Sequence, residues 1–231
     1  MDIILVPGLW LDASSWGQVT PHLERAGHRV HPITLPGMES EDSDRSRVTR
    51  ADCVDAIVSV IDAAEEPVVV VGHSMGAGLA YAALDARPDR VARAIYVGGF
   101  PTPDGSTFDE FPTENGGIPL LDWSAFDEAD LRDLDEADLD ALRARAIPSP
   151  AGLARDPQRL TDPRRYQVPV TMICSEFDTA TLRSWIEADL EPVREYARIH
   201  DITYVDLPTG HWPQFSKPTE LGRAILDAID G

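Results

Sequence analysis

The chain has 231 residues, of which 43% are hydrophobic, and this is long enough for one domain with a substantial buried core. Forty acidic residues against twenty basic ones give a net charge of −20, so we expect no nucleic-acid partner and no anionic membrane partner. No charged-then-apolar leader precedes Asp2 and no apolar run is long enough to span a bilayer, so a cytoplasmic protein is expected.

Apolar, β-rich runs alternate with amphipathic stretches along the chain, which is typical of a mostly parallel sheet flanked by helices. Six strands are predicted, at residues 3–6, 29–34, 68–71, 93–97, 170–174 and 202–205. Helices are predicted at residues 16–26, 49–63, 77–86, 182–196 and 218–229. The fold class is therefore α/β, as a single domain over residues 1–231. The two cysteines, Cys53 and Cys174, fall in a predicted helix and a predicted strand, which favours buried free thiols over a disulfide or a metal site.

The regular alternation breaks between residues 100 and 167, where proline, glycine and acidic residues accumulate. Residues 122–140 contain nine acidic side chains against the single base Arg132, together with an apolar stripe at Leu131, Leu134, Leu139 and Leu142. An unstructured loop of this length is improbable inside one domain. We interpret the segment as an inserted, partly helical cap over the carboxyl ends of the strands, which governs substrate choice rather than catalytic competence.

Residues 72–76, Gly-His-Ser-Met-Gly, directly follow a run of four valines and precede a helix rich in small residues. In a strand-to-helix elbow the central serine adopts a strained backbone conformation, and the flanking glycines let strand and helix approach without a Cβ clash. The pattern therefore predicts that Ser74 is a nucleophile whose hydroxyl stands above the edge of the sheet.

A serine hydroxyl needs a base to take its proton, and in this architecture the base is a histidine after the last strand. His211 follows a predicted strand end and a turn, so it is the candidate base. We expect His73 to pack on the oxyanion side of the elbow. The remaining histidines are interpreted as surface or packing residues: His22, His28, His31 and His200.

The third residue should be a carboxylate that holds the imidazole and stabilises its positive charge. Asp178 is the leading candidate, because it lies where the strand at 170–174 turns into a helix and because it preserves the order serine, acid, histidine. Glu176 is the nearby alternative and Asp104 the distant one. Asp178 could also simply cap the following helix.

An oxyanion formed during acyl transfer needs two fixed backbone donors. Met75 supplies one, because its N–H begins the helix after the nucleophile. Leu9, in the loop at residues 7–10 after the first strand, is the candidate for the other. Aromatic residues that would line an apolar substrate pocket, or equally belong to the core, are Trp10, Phe100, Trp123 and Trp212.

With these motifs, the chain resembles the α/β-hydrolase superfamily over essentially its whole length. More narrowly it looks like the branch that contains plant methylesterases and hydroxynitrile lyases, through the sequence Tyr-Val-Gly-Gly-Phe at 96–100, followed by Pro101 and Pro103. The resemblance implies an esterase of small, mostly apolar substrates, with Ser74, Asp178 and His211 in the positions of the family triad.

Two positions depart from that branch. Pro7 stands where many relatives have a histidine, and Trp212 stands where the lyases have a lysine important for cyanide chemistry. The nucleophile Ser74 also argues against haloalkane dehalogenases and epoxide hydrolases, which use an aspartate.

The sequence therefore predicts a serine hydrolase that cleaves a small carboxylic ester through an acyl-enzyme, with no cofactor and no metal. Its expected partner is a small-molecule ester. Two alternatives stay open: lyase or cofactor-free ring and C–C chemistry in secondary metabolism on the same triad, or a non-catalytic ligand-binding member of the fold.

Overall fold

A parallel sheet of six strands organises the described part of the chain, which comprises residues 1–108 and 111–231 of a computed structural model. In chain order the strands are β1 (Asp2–Val6), β2 (Arg29–Pro32), β3 (Val68–His73), β4 (Val91–Val97), β5 (Gly117–Ile118), β6 (Ser149–Pro150), β7 (Val170–Cys174) and β8 (Ile202–Asp206). The main sheet has the order β2-β1-β3-β4-β7-β8, and β5 pairs with β6 in an antiparallel ribbon. The predicted α/β class and its parallel sheet are confirmed.

The helices flank this sheet. They are α1 (Thr20–Arg25), α2 (Arg50–Ala63), α3 (Met75–Ala86), α4 (Glu136–Arg145), α5 (Gly152–Arg155), α6 (Thr179–Glu187), α7 (Pro213–Ser216) and α8 (Pro218–Asp230). Of the helices in the described residues, none is both long and apolar enough to cross a membrane.

Two predicted helices are shorter in the structure. Helix α1 begins only at Thr20, because a 3-10 turn at Ala13–Trp16, capped by the Asp12 side chain, precedes it. The helix expected at 182–196 ends at Glu187, where Asp189 takes a left-handed conformation with φ of 52°. A separate 3-10 turn then follows at Glu191–Val193, with a proline in its first turn.

Both faces of the sheet are buried, which explains why its central strand reads as a continuous apolar run. On β3, Val68 and Val70 pack against α2 and α3, whereas Val69 and Val71 pack against α1 and α8. Full burial of each valine stabilises the fold by about 2 kcal/mol. The carboxyl edge of the sheet is consequently a rigid base for the loops that follow β1, β3, β4, β7 and β8. Both cysteines are buried free thiols.

The segment between β4 and β7 is partly helical, but only Leu139 and Leu142 of the predicted apolar stripe lie in α4, whereas Leu131 and Leu134 precede it. A capping box formed by Asp135 and Asp138 starts α4, and these acids also complement the positive end of the helix dipole. Leu142 on α4 and Ile118 on β5 are buried in the core cluster that also contains the α2 and α3 side chains.

The close packing of β3 on α3 gives a direct test of the elbow. A Cβ at Gly72 would lie 2.5 Å from the Gly76 carbonyl oxygen and 2.7 Å from the Ala77 Cα, both fixed backbone atoms. We expect Gly72→Ala to lower the free energy of unfolding by about 1–3 kcal/mol in urea denaturation.

Gly17→Ala is the matched control. Gly17 already has helical backbone angles, and its nearest contact for a new Cβ is the Ser14 oxygen at 3.1 Å. This change should alter the free energy of unfolding by no more than about 0.5 kcal/mol. Equal stability of Gly72→Ala and the unchanged protein would contradict the packing argument.

Candidate active site

Ser74 stands at the junction of β3 and α3 in a backbone conformation that is rare for a residue with a side chain. Its φ is 53° and its ψ is −126°. Such a conformation costs about 1–3 kcal/mol and persists only where the surroundings enforce it. Here the Ser74 N–H donates to the Val97 oxygen at 2.9 Å, and the Ser74 carbonyl accepts from the Ala77 N–H at 2.9 Å. The hydroxyl is thereby held at the carboxyl edge of the sheet.

His211 lies in the loop after β8 and reaches this hydroxyl. The Ser74 Oγ donates to the His211 Nε2 at 2.8 Å. The backbone N–H of His211 donates to the Asp130 carbonyl at 2.7 Å, so the segment between β4 and β7 fixes the histidine loop. The predicted pairing of Ser74 with His211 is present in the geometry.

Glu176 contacts the other ring nitrogen, His211 Nδ1, through its Oε1. The Ser175 hydroxyl donates to its second oxygen. Burial alone would raise the pKa of Glu176, but the hydrogen bond and the charge of His211 outweigh burial and lower the pKa to about 2. The carboxylate is therefore ionised at neutral pH and positioned to stabilise a protonated imidazole.

Asp178, the leading candidate acid, does not take this position, and the expectation is corrected. Its Oδ1 accepts from the Thr181 N–H at 2.8 Å, so it is the N-cap of α6, and this bond lowers its pKa. Asp104 is also engaged elsewhere, because it accepts from the Leu160 N–H at 2.9 Å. In the sequence analysis, helix capping was named as the alternative role of Asp178, which directly precedes α6. With Asp178 in that role, Glu176 is the acid nearest the end of β7.

Two glycines after β4 make room for the site: Gly98 for the Glu176–His211 pair and Gly99 for the Ser74 backbone. Gly98 has a φ of 56°, and a Cβ there would lie 3.2 Å from the Glu176 Oε1 and 3.4 Å from the His211 Nδ1. A Cβ at Gly99 would lie 2.4 Å from the backbone carbonyl oxygen of Ser74. In the sequence analysis these two residues are used only as evidence for a family resemblance. The structure shows that the site leaves little room for a side chain at either position.

The loop after β1 approaches the serine closely. A Cβ at Gly8 would lie 2.9 Å from the Ser74 Cβ. Leu9 and Met75 border the same cavity as Ser74, and within the described chain no hydrogen-bond acceptor contacts either backbone N–H. Within the described residues, these two N–H groups are therefore available to an oxyanion in the cavity that Ser74 lines.

A cavity of about 540 Å³ opens beside Ser74. Among the described residues that line it, the one charged side chain is Glu191, and much of the wall is aromatic or proline, including Phe100, Phe108, Phe111 and Pro103. A volume in this range suits a ligand of drug-like size.

The tryptophans expected in the pocket lie elsewhere, and this expectation is wrong for three of the four aromatics. Trp10, Trp123 and Trp212 pack with Phe126 at ring-centroid distances of 5.3–5.9 Å. They surround a void of only about 10 Å³, too small for an organic substrate. Phe100 is the member of the predicted set that lines the Ser74 cavity.

Comparison with known proteins is consistent with this arrangement. Residues 3–224 match the family model described as the alpha/beta hydrolase family. The chain belongs to this family. A pyrethroid hydrolase of Sphingobium wenxiniae is 29% identical over an alignment that covers 99% of this chain and 88% of that protein. Methylesterase 7 of Arabidopsis thaliana is 24% identical over an alignment that covers 98% of this chain and 95% of that protein.

Solved structures show the same fold. An extracellular alpha/beta-hydrolase from a Paenibacillus species superposes with a TM-score of 0.80 at 20% identity, over 99% of this chain and 98% of that one. A methylesterase protein from Arabidopsis superposes with a TM-score of 0.75 at 21% identity, over 100% of this chain and 99% of that one. The resemblance to the α/β-hydrolase superfamily and its plant methylesterases is confirmed, as is the prediction of a hydrolase.

In this hydrolase one group of described side chains could also offer metal ligands. Asp130, Glu176 and His211 have candidate ligand atoms within 4.8 Å of one another. Glu176 and His211 are already hydrogen-bonded to each other, so a metal ion would have to replace that hydrogen bond. Burial raises the pKa of the Asp130 carboxyl.

His73, inside the elbow motif, is fully buried and holds the backbone of His211. Its Nε2 lies 2.7 Å from the His211 carbonyl oxygen, and the Gln214 Nε2 lies 3.2 Å from its Nδ1. This pattern requires a neutral ring with its proton on Nε2. Burial, reinforced by the nearby His211, lowers the pKa of His73 to about 3.

Because His73 is buried in its neutral form, the stability of the protein depends on pH. The folded-state pKa lies below the unfolded value of about 6.5, so the unfolded chain binds more protons between these values. The contribution of His73 to stability is complete above pH ~6.5 and is lost as the pH falls towards 3.

Between about pH 7.5 and pH 5 we expect the free energy of unfolding of the unchanged protein to fall by about 2 kcal/mol more than that of His73→Gln, measured by urea unfolding. Exposed His200→Gln is the control, and an unchanged pH dependence in His73→Gln would reject the neutral assignment.

Proposed function

We propose that the protein is a serine carboxylesterase in which Ser74, His211 and Glu176 form the catalytic triad. The observation that carries this proposal is the continuous contact from the Glu176 carboxylate through both ring nitrogens of His211 to the Ser74 hydroxyl, 2.8 Å from Nε2, at the wall of an open cavity. An imidazole that is held at both nitrogens, with Nε2 facing the hydroxyl, is positioned to accept the serine proton.

The reaction follows from these positions. The Ser74 Oγ forms a bond to the ester carbonyl carbon while its proton moves to the His211 Nε2, and the oxyanion accepts hydrogen bonds from the Leu9 and Met75 amides. The carbon–alkoxy bond then breaks, and the leaving alkoxide takes the proton from His211. Water next attacks the acyl-enzyme with His211 again as base, which releases the carboxylic acid and restores Ser74.

The substrate we propose is a neutral, mostly apolar ester. Three phenylalanines and three prolines are among the described residues of the cavity wall, and the Glu191 carboxylate together with the net charge of −20 disfavours an anionic ligand. The cavity of about 540 Å³ accepts an acid or alcohol group larger than the small ester expected from the sequence. The relatives named pyrethroid hydrolase and methylesterase support ester chemistry.

Active-site labelling tests the nucleophile. A fluorophosphonate probe should modify Ser74, and Ser74→Ala should abolish labelling and lower kcat for p-nitrophenyl esters by at least about 1000-fold. Ser59→Ala is the control, because Ser59 is exposed on α2 and its hydroxyl bonds only the Asp55 carbonyl in the described chain. Unchanged hydrolysis by Ser74→Ala with unchanged circular dichroism would reject the proposal, and probe labelling without turnover of any ester would favour a different triad chemistry.

Matched amide substitutions test the acid. Glu176→Gln should lower kcat by about 100- to 10,000-fold, because the amide cannot stabilise the imidazolium and can hold the wrong tautomer. Asp178→Asn should keep kcat within about 2-fold and leave stability nearly unchanged, because asparagine caps helices as well as aspartate does. Steady-state kinetics and thermal unfolding of both variants decide the assignment. A larger kinetic loss in Asp178→Asn would return the acid to Asp178.

A further inference from the structure

Trp10, next to the proposed oxyanion donor Leu9, has an unusual backbone. Its φ is 65°, in the left-handed region that residues with side chains rarely occupy. Both of its backbone polar groups are bound by one short stretch of the distant segment. The Trp10 N–H donates to the Ser149 Oγ at 2.7 Å, and the Trp10 carbonyl accepts from the Ile147 N–H at 2.9 Å. Ser149, which is 139 residues further along the chain, therefore holds the turn that follows Leu9.

Ser149 is itself rigidly placed. It is fully buried, and it lies in β6 opposite Ile118 of β5. Ile118 is also fully buried, in the core cluster that contains Trp10. Within the described residues, the Trp10 N–H is the one hydrogen-bond partner of the Ser149 hydroxyl. A buried hydroxyl committed to a single backbone donor acts as a fixed anchor rather than as an adaptable surface group.

The position of the Leu9 amide depends on both of its neighbouring peptide units. On one side Gly8 is pressed against the Ser74 Cβ, where an added Cβ would lie at 2.9 Å. On the other side the Leu9–Trp10 peptide carries the N–H that Ser149 holds. An oxyanion donor must be fixed before the reaction begins, since reorganisation during the reaction would consume its stabilising effect.

We propose that Ser149 is a positioning residue of the oxyanion hole, which it orients through the Trp10 backbone. This inference rests on the proposed esterase function. It assigns a catalytic contribution to the segment between β4 and β7, for which the sequence predicted an effect on substrate choice alone.

Ser149→Ala tests this role. The Trp10 N–H loses its acceptor, the loop relaxes, and kcat/KM for a p-nitrophenyl ester should fall by about 10- to 100-fold. The inhibition constant of a trifluoromethyl ketone, which forms a tetrahedral adduct with Ser74, should rise by the same factor. Binding of the carboxylic acid product, a ground-state ligand, should change by less than about 2-fold. If Ser149 had only a structural role, kcat/KM and the inhibition constant would not change by the same factor while the affinity for the product acid stayed the same.

Ser124→Ala is the matched control, because it makes the same chemical change in the same segment. The Ser124 hydroxyl is exposed and bonds only to Asp122 in the described chain. This variant should keep all three quantities within about 2-fold of the unchanged protein. Near-ultraviolet circular dichroism and the Tm report whether each variant folds.

The outcomes separate the two proposals. If the unchanged protein neither reacts with a fluorophosphonate nor hydrolyses any ester, both the esterase function and the role of Ser149 are rejected. If it does both and folded Ser149→Ala retains kcat/KM and inhibitor affinity, only the role of Ser149 is rejected. If Ser149→Ala fails to fold, Ser149→Cys keeps the side-chain shape with a larger and weaker acceptor and should show a smaller, parallel loss. Failure of both variants to fold would make Ser149 a packing residue and would overturn the inference.

Discussion

The site depends on one steric constraint: the backbone around Ser74 is enclosed so closely that side chains are excluded on several sides. Gly8, Gly72, Gly76 and Gly99 each leave no room for a Cβ, with the nearest backbone or serine atoms at 2.4–2.9 Å. Because these contacts come from the loops after β1 and β4 and from the β3–α3 junction, the serine cannot relax into an ordinary conformation without moving the sheet. The buried strands therefore sustain the left-handed backbone that projects the hydroxyl.

The same enclosure sets the charges around His211. The Glu176 carboxylate is ionised in a half-buried position because His211 and Ser175 donate to it. On the other side, the ring of His73 lies 5.1 Å from that of His211, centroid to centroid, and its pKa of about 3 keeps it neutral. A charged His73 would repel a protonated His211, which the proposed mechanism requires. The neutral ring instead holds the His211 backbone while Glu176 supplies the opposing charge.

Much of this arrangement could be predicted from the sequence, because its signals are local. The valine run of β3, the glycines at 72 and 76, and the position of His211 after the last strand all lie in short continuous stretches. The choice between Glu176 and Asp178 was not local in this sense. It depends on where β7 stops and on which carboxylate caps α6, and both acids fit the order of the triad.

The aromatic residues show a second limit of sequence reasoning. Trp212 directly follows His211, yet it is 2% exposed and packs in the tryptophan cluster rather than at the cavity. Nothing in the composition of a strand-end loop fixes which side of the histidine such a ring will occupy. The β5–β6 ribbon is also invisible in the sequence, because two strands of two residues each carry no periodicity.

The segment between β4 and β7 contacts the loops that carry His211 and Leu9 and also lines the cavity. Its Asp130 carbonyl accepts from the His211 N–H, and a Cβ at Gly210 would lie 2.4 Å from that same carbonyl. Its Ser149 hydroxyl accepts from the Trp10 N–H. The segment also contributes Phe108 and Phe111 to the cavity wall. A rearrangement of this segment that reshapes the wall is therefore expected to move the loops that carry His211 and Leu9, and the proposed esterase would couple substrate preference to turnover in this way. A substitution at the wall that shifts this backbone will alter kcat together with substrate preference, whereas one absorbed by side-chain rotation alone will alter preference only.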